Sequence, residues 1–148
     1  MTQLRRFLAR HQRIALDSSI FIYSIDENPR YVDLATEVLQ WVAKPGHHAV
    51  TSTVTVAEVL VKAYSVLDEQ RAKKLFGLLS TYPNLNWIAA DLGIANMAAR
   101  LRGIYGMKTP DALQAATAVH ATATAFVTND SIFKRIPQFE TLLLDSLI

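Results

Sequence analysis

Short apolar runs recur along this chain, and each is parted from the next by a longer stretch with helical spacing. The runs fall at 13–16, 48–52, 85–89, 125–128 and 142–145. Their residues are apolar without strict alternation, the pattern of strands covered on both faces. Between them, Tyr31, Leu34, Ala35, Val38, Leu39 and Val42 follow helical spacing, and helices are expected over 53–67, 68–80, from Asp91 to Gly106, and from Thr109-Pro110 to about residue 121. A further short helix is expected at 20–25. Asn28-Pro29 reads as a helix start and Pro45-Gly46 as a stop. In the second of the long helices Leu75, Leu78 and Leu79 are expected to face inward. In the helix after Asp91 the inward set is Leu92, Ala95, Ala99 and Ile104. Strands alternating with helices in this order predict an α/β fold with five parallel strands between helical layers.

In such sheets ligands bind beyond the carboxyl ends of the strands. Four acids fall there or in the first turns of the following helix: Asp17, Glu58, Asp111 and Asp130. Each has an ordinary structural role open to it. Asp17 ends a strand and can close an Asx turn, and Asp130 follows Asn129 in a turn. Asp111 suits the positive end of a helix, worth about 0.3–1 kcal/mol. Thr55-x-x-Glu58 matches a capping box, whereas a cap at Ser52 or Thr53 would put Glu58 inside the first two turns, near the strand end.

Taken together, the four ordinary roles would bring four like charges independently to one sheet edge. Each would raise the pKa of the others unless a cation stood among them. Hard carboxylate oxygens, no cysteine and no paired-histidine spacing point to Mg2+ or Mn2+ rather than Zn2+. Fifteen basic residues oppose thirteen acids. With four acids sequestered the rest of the chain carries fifteen against nine, a net +6 that suits a polyanionic partner.

The chain has 148 residues, 51% hydrophobic and 19% charged, which fits one soluble globular domain over 1–148. No apolar run approaches the length of a membrane span, and the basic N-terminus lacks the apolar core of a secretory signal. Zero cysteines exclude disulfides and fit a reducing cytoplasm. There is no GxxxxGK[ST] loop and no GxGxxG turn, which argues against nucleotide-cradling folds.

The stretches "IALDSSIFIY", "TSTVTVAEVL", "YGMKTPDALQAATA" and "AFVTNDSIF" resemble, in order and spacing, the four acidic motifs of PIN-domain nucleases, and are most similar to those of VapC-type toxins of toxin–antitoxin pairs. The resemblance implies a three-layer α/β/α PIN-like fold with a central five-stranded parallel sheet. It implies Asp17, Glu58, Asp111 and Asp130 as a catalytic and metal-binding cluster for Mg2+ or Mn2+. The implied activity is endoribonuclease hydrolysis leaving a 5′ phosphate, and the implied partners are RNA, a cognate antitoxin and a second copy of the chain. Ser18, Thr128 and Asn129 are then candidates to support the acids or to touch phosphate, and Lys108, Lys134 and Arg135 to bind substrate. Two other readings stay open: a non-catalytic PIN-like module for RNA or protein, and a housekeeping RNA-processing nuclease. Asp17-Ser18-Ser19 departs from the commoner Asp-Thr-Asn or Asp-Thr-Ser. Residues 1–12 form a basic extension whose Arg5, Arg6, Arg10 and His11 the family leaves unexplained. Outside the motifs, Arg71, Lys73 and Lys74 read as a solvated helix face, and His120 as a satisfied surface or core residue.

Overall fold

The computed structural model describes residues 1–148. Five strands form one parallel sheet: β1 (Arg13–Leu16), β2 (His48–Ser52), β3 (Leu85–Ile88), β4 (Ala125–Thr128) and β5 (Glu140–Leu143). Their spatial order is β3-β2-β1-β4-β5, with every neighbouring pair parallel. Seven helices connect and cover them: α1 (Gln3–Ala9), α2 (Ser18–Ile25), α3 (Val32–Ala43), α4 (Val54–Ser65), α5 (Glu69–Ser80), α6 (Leu92–Tyr105) and α7 (Thr109–His120). Short 3-10 turns at Ser131–Arg135 and Leu144–Leu147 flank β5.

The central strands β1 and β4 are mainly apolar because successive side chains enter different cores. Ile14 and Leu16 join the core under α1 to α5, whereas Ala15 between them joins the core under α6 and α7. Ala125 and Val127 take the first side and Phe126 the second. Phe126 lies stacked on Phe133 and Phe139 there, at 4.3 and 5.1 Å between centroids. On α7 the buried residues are Ala112, Ala115, Ala116 and Ala118 with Gln114 and Thr117 among them, so mostly small side chains let this helix lie close to the sheet.

Several local expectations need correction. β5 lies at Glu140–Leu143, earlier than 142–145, because Leu144 opens a 3-10 turn. α3 begins at Val32; Asn28 instead makes a turn, its Oδ1 accepting from the backbone N–H groups of Arg30 at 2.9 Å and Tyr31 at 3.2 Å. On α6 the buried set is Ile94, Ala98 and Leu101, while Leu92 is 91% and Ile104 60% exposed. Both stripes have helical spacing, and packing against α7 selects the one that the sequence alone does not single out. Leu78 is exposed for the same reason, since α5 buries Ala72, Leu75 and Leu79.

The N-terminal extension folds. Thr2 caps α1 by accepting from the N–H of Arg5, and Leu4, Phe7 and Leu8 are buried in the larger core. Arg5 pairs with Glu37 on α3 at 2.8 Å, while Arg10 and His11 both pair with Glu140 on β5. These pairs are partly solvated and contribute little; the buried face is what holds the helix. Arg71, Lys73, Lys74 and His120 are exposed, as expected. No helix is long and apolar enough to cross a membrane.

Candidate active site

Asp17 follows the last residue of β1 and caps α2. Its Oδ1 accepts from the backbone N–H of Ser19 at 3.1 Å and from the Ser19 hydroxyl. β1 and β4 pair with Leu16 opposite Val127, so the next positions, Asp17 and Thr128, also meet. The Thr128 hydroxyl donates to Asp17 Oδ2 and accepts from the N–H of Asp130 at 3.1 Å. Asp130 in turn caps the turn Ser131–Arg135 by accepting from Ile132 N–H. The two turn roles foreseen for Asp17 and Asp130 are thus realised, and they fix the carboxyls at the same edge.

Glu58 is not part of a capping box. Thr53 precedes α4 without a side-chain cap bond, and Thr55 lies within the helix, buried and bonded elsewhere. Glu58 stands in the second turn, half-buried, and accepts from the Ser18 hydroxyl at 3.1 Å. Asp111 is the third residue of α7, after Thr109 and Pro110 at the first two positions.

The electrostatics join all four acids. Asp17 is 8% exposed; burial pushes its carboxyl up to about 6, against the hydrogen bonds from Ser19 and Thr128, and Asp111 adds to the rise. Asp111 is also raised, by burial first, then by Asp130 and Glu58, with Lys108 opposing. Both shifts mark carboxyls that are short of positive charge.

No three His, Asp or Glu side chains stand close enough to enclose a metal ion among them. The donor set nevertheless fits Mg2+ or Mn2+. Mg2+ keeps several waters and takes one or two carboxylates directly, and the mutual repulsion of Asp17, Asp111, Asp130 and Glu58 is what a divalent charge relieves.

The remaining expected residues divide. Ser18 and Thr128 touch acids. Asn129 does not: its Nδ2 donates to the Tyr23 hydroxyl at 3.1 Å, and its Oδ1 accepts from Asp145 N–H at 2.9 Å. It secures the acid-bearing turn to α2 and to the chain end. Lys108 is exposed at the start of α7, near enough to Asp111 to affect it. Lys134 is exposed, and Arg135 donates to the Tyr105 carbonyl at 3.3 Å. No ion pair joins Lys108, Lys134 or Arg135 to an acid. Ser52, foreseen as a possible cap, accepts from the N–H of Val54 at 3.1 Å, whereas Thr51 and Gln114, polar residues buried below the edge, were not foreseen. Gln114 carried a signal, as the one amide inside an alanine-rich helix.

A family model for the PIN domain matches residues 14–138. Among curated proteins no sequence matches. Of solved structures, VapBC2 from Rickettsia felis bound to a DNA fragment from their promoter is similar at 26% identity, over 88% of this chain and 98% of that one, with a TM-score of 0.69. A toxin–antitoxin complex from Klebsiella pneumoniae is similar at 25% identity, over 88% and 97%, with a TM-score of 0.65. VapC20 of Mycobacterium tuberculosis, a sarcin-ricin loop cleaving toxin, shares the fold at 14% identity, over 82% and 93%, with a TM-score of 0.66.

Proposed function

The chain belongs to the PIN-domain family, and from that premise we propose that it is a Mg2+- or Mn2+-dependent endoribonuclease, the toxin of a type II toxin–antitoxin pair acting in the cytoplasm. The observation that carries this reading is the electrostatic strain at one sheet edge. Asp17 and Asp111 are both pushed toward protonation by burial and by other acids of the set. Capping and helix-start roles account for these acids singly, whereas a cation site makes use of their repulsion together.

Asp17, Asp111 and Asp130 are the residues that would hold the cation, with Glu58 as a fourth ligand or as the base. A bound divalent ion supplies positive charge to the scissile phosphate and acidifies water at neutral pH. The chain does the rest. Thr128 fixes the rotamer of Asp17 through Oδ2, and Ser19 fixes Oδ1. Ser18 orients Glu58, which takes a proton from the attacking water. The water oxygen bonds to phosphorus as the bond to the 3′ oxygen breaks in line, and that oxygen takes a proton from solvent and leaves as a 3′ hydroxyl. The other product carries a 5′ phosphate. Lys108, Lys134 and Arg135 offer exposed positive charge for the RNA backbone near this edge.

The Klebsiella relative is a toxin–antitoxin complex and the Rickettsia relative is VapBC2 bound to promoter DNA, so a cognate antitoxin is the expected protein partner. A second copy of the chain is the other, and an apolar strip on α4 and α5 favours it: Val61, Tyr64 and Phe76 are each more than half exposed. The test is incubation of the purified protein with mixed tRNA and rRNA fragments in Mg2+, in Mn2+ and in EDTA. Cleavage that needs the added cation supports the reading. Binding of RNA without cleavage in any cation would favour a non-catalytic module. A neighbouring reading frame encoding a DNA-binding fold with a flexible tail supports the toxin assignment, and a solitary gene favours a housekeeping nuclease.

A further inference from the structure

Beneath the acids lies a chain of buried hydrogen bonds with one polarity. Thr51, Ser52, Thr55 and Gln114 are all 3% exposed or less. Thr51 Oγ1 donates to the Leu16 carbonyl at 2.8 Å. Its oxygen is therefore left to accept from the Thr55 hydroxyl, 2.7 Å away. Thr55 Oγ1 in turn accepts from Gln114 Nε2 at 2.7 Å, and Gln114 Oε1 accepts from the backbone N–H of Ser52 at 3.4 Å. No buried side-chain polar atom is left without a partner.

The placement of these residues repeats. Leu16 precedes Asp17. Thr55 stands one helical turn before Glu58, and Gln114 one turn after Asp111. The bonds therefore join β1, β2, α4 and α7 at points adjacent to three of the four acids. Around Gln114 the buried α7 residues are otherwise alanine and Thr117, so the amide is the one long polar side chain on that face, and it is spent on Thr55 and Ser52. Buried polar chains of this kind, when fully satisfied, select one arrangement over near alternatives.

We infer that Gln114 is a positioning residue which, through Thr55 and Thr51, sets how Asp111 on α7, Glu58 on α4 and Asp17 after β1 stand relative to one another at the edge that would take the divalent cation; this rests on the nuclease reading above. The residues of the chain touch neither substrate nor cation themselves. They act by holding α7 and α4 at one distance from the end of β1.

The test uses Gln114→Met, Thr55→Val and Thr55→Ser in the full-length protein, with Mn2+ affinity by calorimetry, RNA-cleavage kinetics and thermal melting. Gln114→Met and Thr55→Val should each weaken Mn2+ binding and lower kcat by about 10-fold with KM little changed. Thr55→Ser, which keeps the hydroxyl, should restore both. The double variant Gln114→Met with Thr55→Val should be little worse than either single one, because both cut the same chain. If both variants melt lower yet keep Mn2+ affinity and kcat within about twofold of the unmodified protein, the chain is only structural and the inference is overturned. Should Gln114→Met not fold, Thr55→Val, which keeps the shape, and Thr55→Ser, which keeps the hydroxyl, decide between them. Should the unmodified protein neither bind Mn2+ nor cut RNA, the nuclease reading itself fails and the positioning role falls with it.

Discussion

The Ser18 hydroxyl donates to Glu58 Oε1 at 3.1 Å, so the residue beside Asp17 holds the carboxylate of a helix 40 positions further along the chain. The contact ties the end of the central strand to α4. It also separates charge from shape at Glu58, since glutamine keeps an acceptor for Ser18 and loses only the charge.

Glu58→Gln is therefore expected to melt close to the unmodified protein, within about 0.5 kcal/mol. RNA cleavage in Mg2+ should fall by about 100-fold or more, the usual contribution of a positioned base. Thermal melting and initial cleavage rates check both halves. Unchanged cleavage would remove Glu58 from the site.

Asp17 dictates a pH dependence. Its folded carboxyl sits near 6 against an ordinary value of 3.8. Between those values the folded chain holds a proton that the unfolded chain has lost. The contribution of this group to stability is thus full below about pH 4 and declines as pH rises toward 6, by about 3 kcal/mol in all. Asp111 acts in the same direction. Cation-free protein should lose melting temperature across this window, and Asp17→Asn should flatten the slope and melt higher at neutral pH. A cation-free Asp17→Asn protein with the same pH slope as the unmodified one would contradict the buried-carboxyl account.

The N-terminal helix is expected to be part of the folding unit. Leu8 is fully buried in the main core, so Leu8→Ala should cost about 2–5 kcal/mol. Arg10→Ala, which removes a half-exposed ion pair with Glu140, should cost no more than about 1 kcal/mol. Chemical denaturation of the two variants distinguishes the contributions. Equal, small losses would mean that α1 is only tethered to the surface.

The parallel sheet and four of its five strands were legible in the sequence because each strand is a short apolar run between helices, and the gathering of Asp17, Glu58, Asp111 and Asp130 near one edge because each follows a strand or opens a helix. Choices between equivalent patterns were not legible. α6 carries two apolar stripes, and only packing against α7 selects Ile94, Ala98 and Leu101. Glu58 fitted a capping box until Thr55 proved to be committed to Thr51 and Gln114. Asn129 was a candidate to support the acids or to touch phosphate, and its amide is bonded to Tyr23 and Asp145 rather than to an acid of the set. These partners come from distant parts of the chain, and no spacing rule announces them. α1 was read by its arginines, whereas Leu4, Phe7 and Leu8 decide its place.

Asp111 belongs to the acid set and makes no hydrogen bond through its side chain. Asparagine there costs the helix terminus little, so loss of function would not be loss of fold. The measurement is cleavage of RNA by the unmodified protein and by Asp111→Asn in Mg2+ and in EDTA, with chemical identification of the new ends. The expected result is cleavage by the unmodified protein in Mg2+ alone, leaving 5′-phosphate and 3′-hydroxyl ends, and none by a folded Asp111→Asn. Cleavage that persists in EDTA, ends carrying a cyclic 2′,3′-phosphate, or full activity in Asp111→Asn would contradict it.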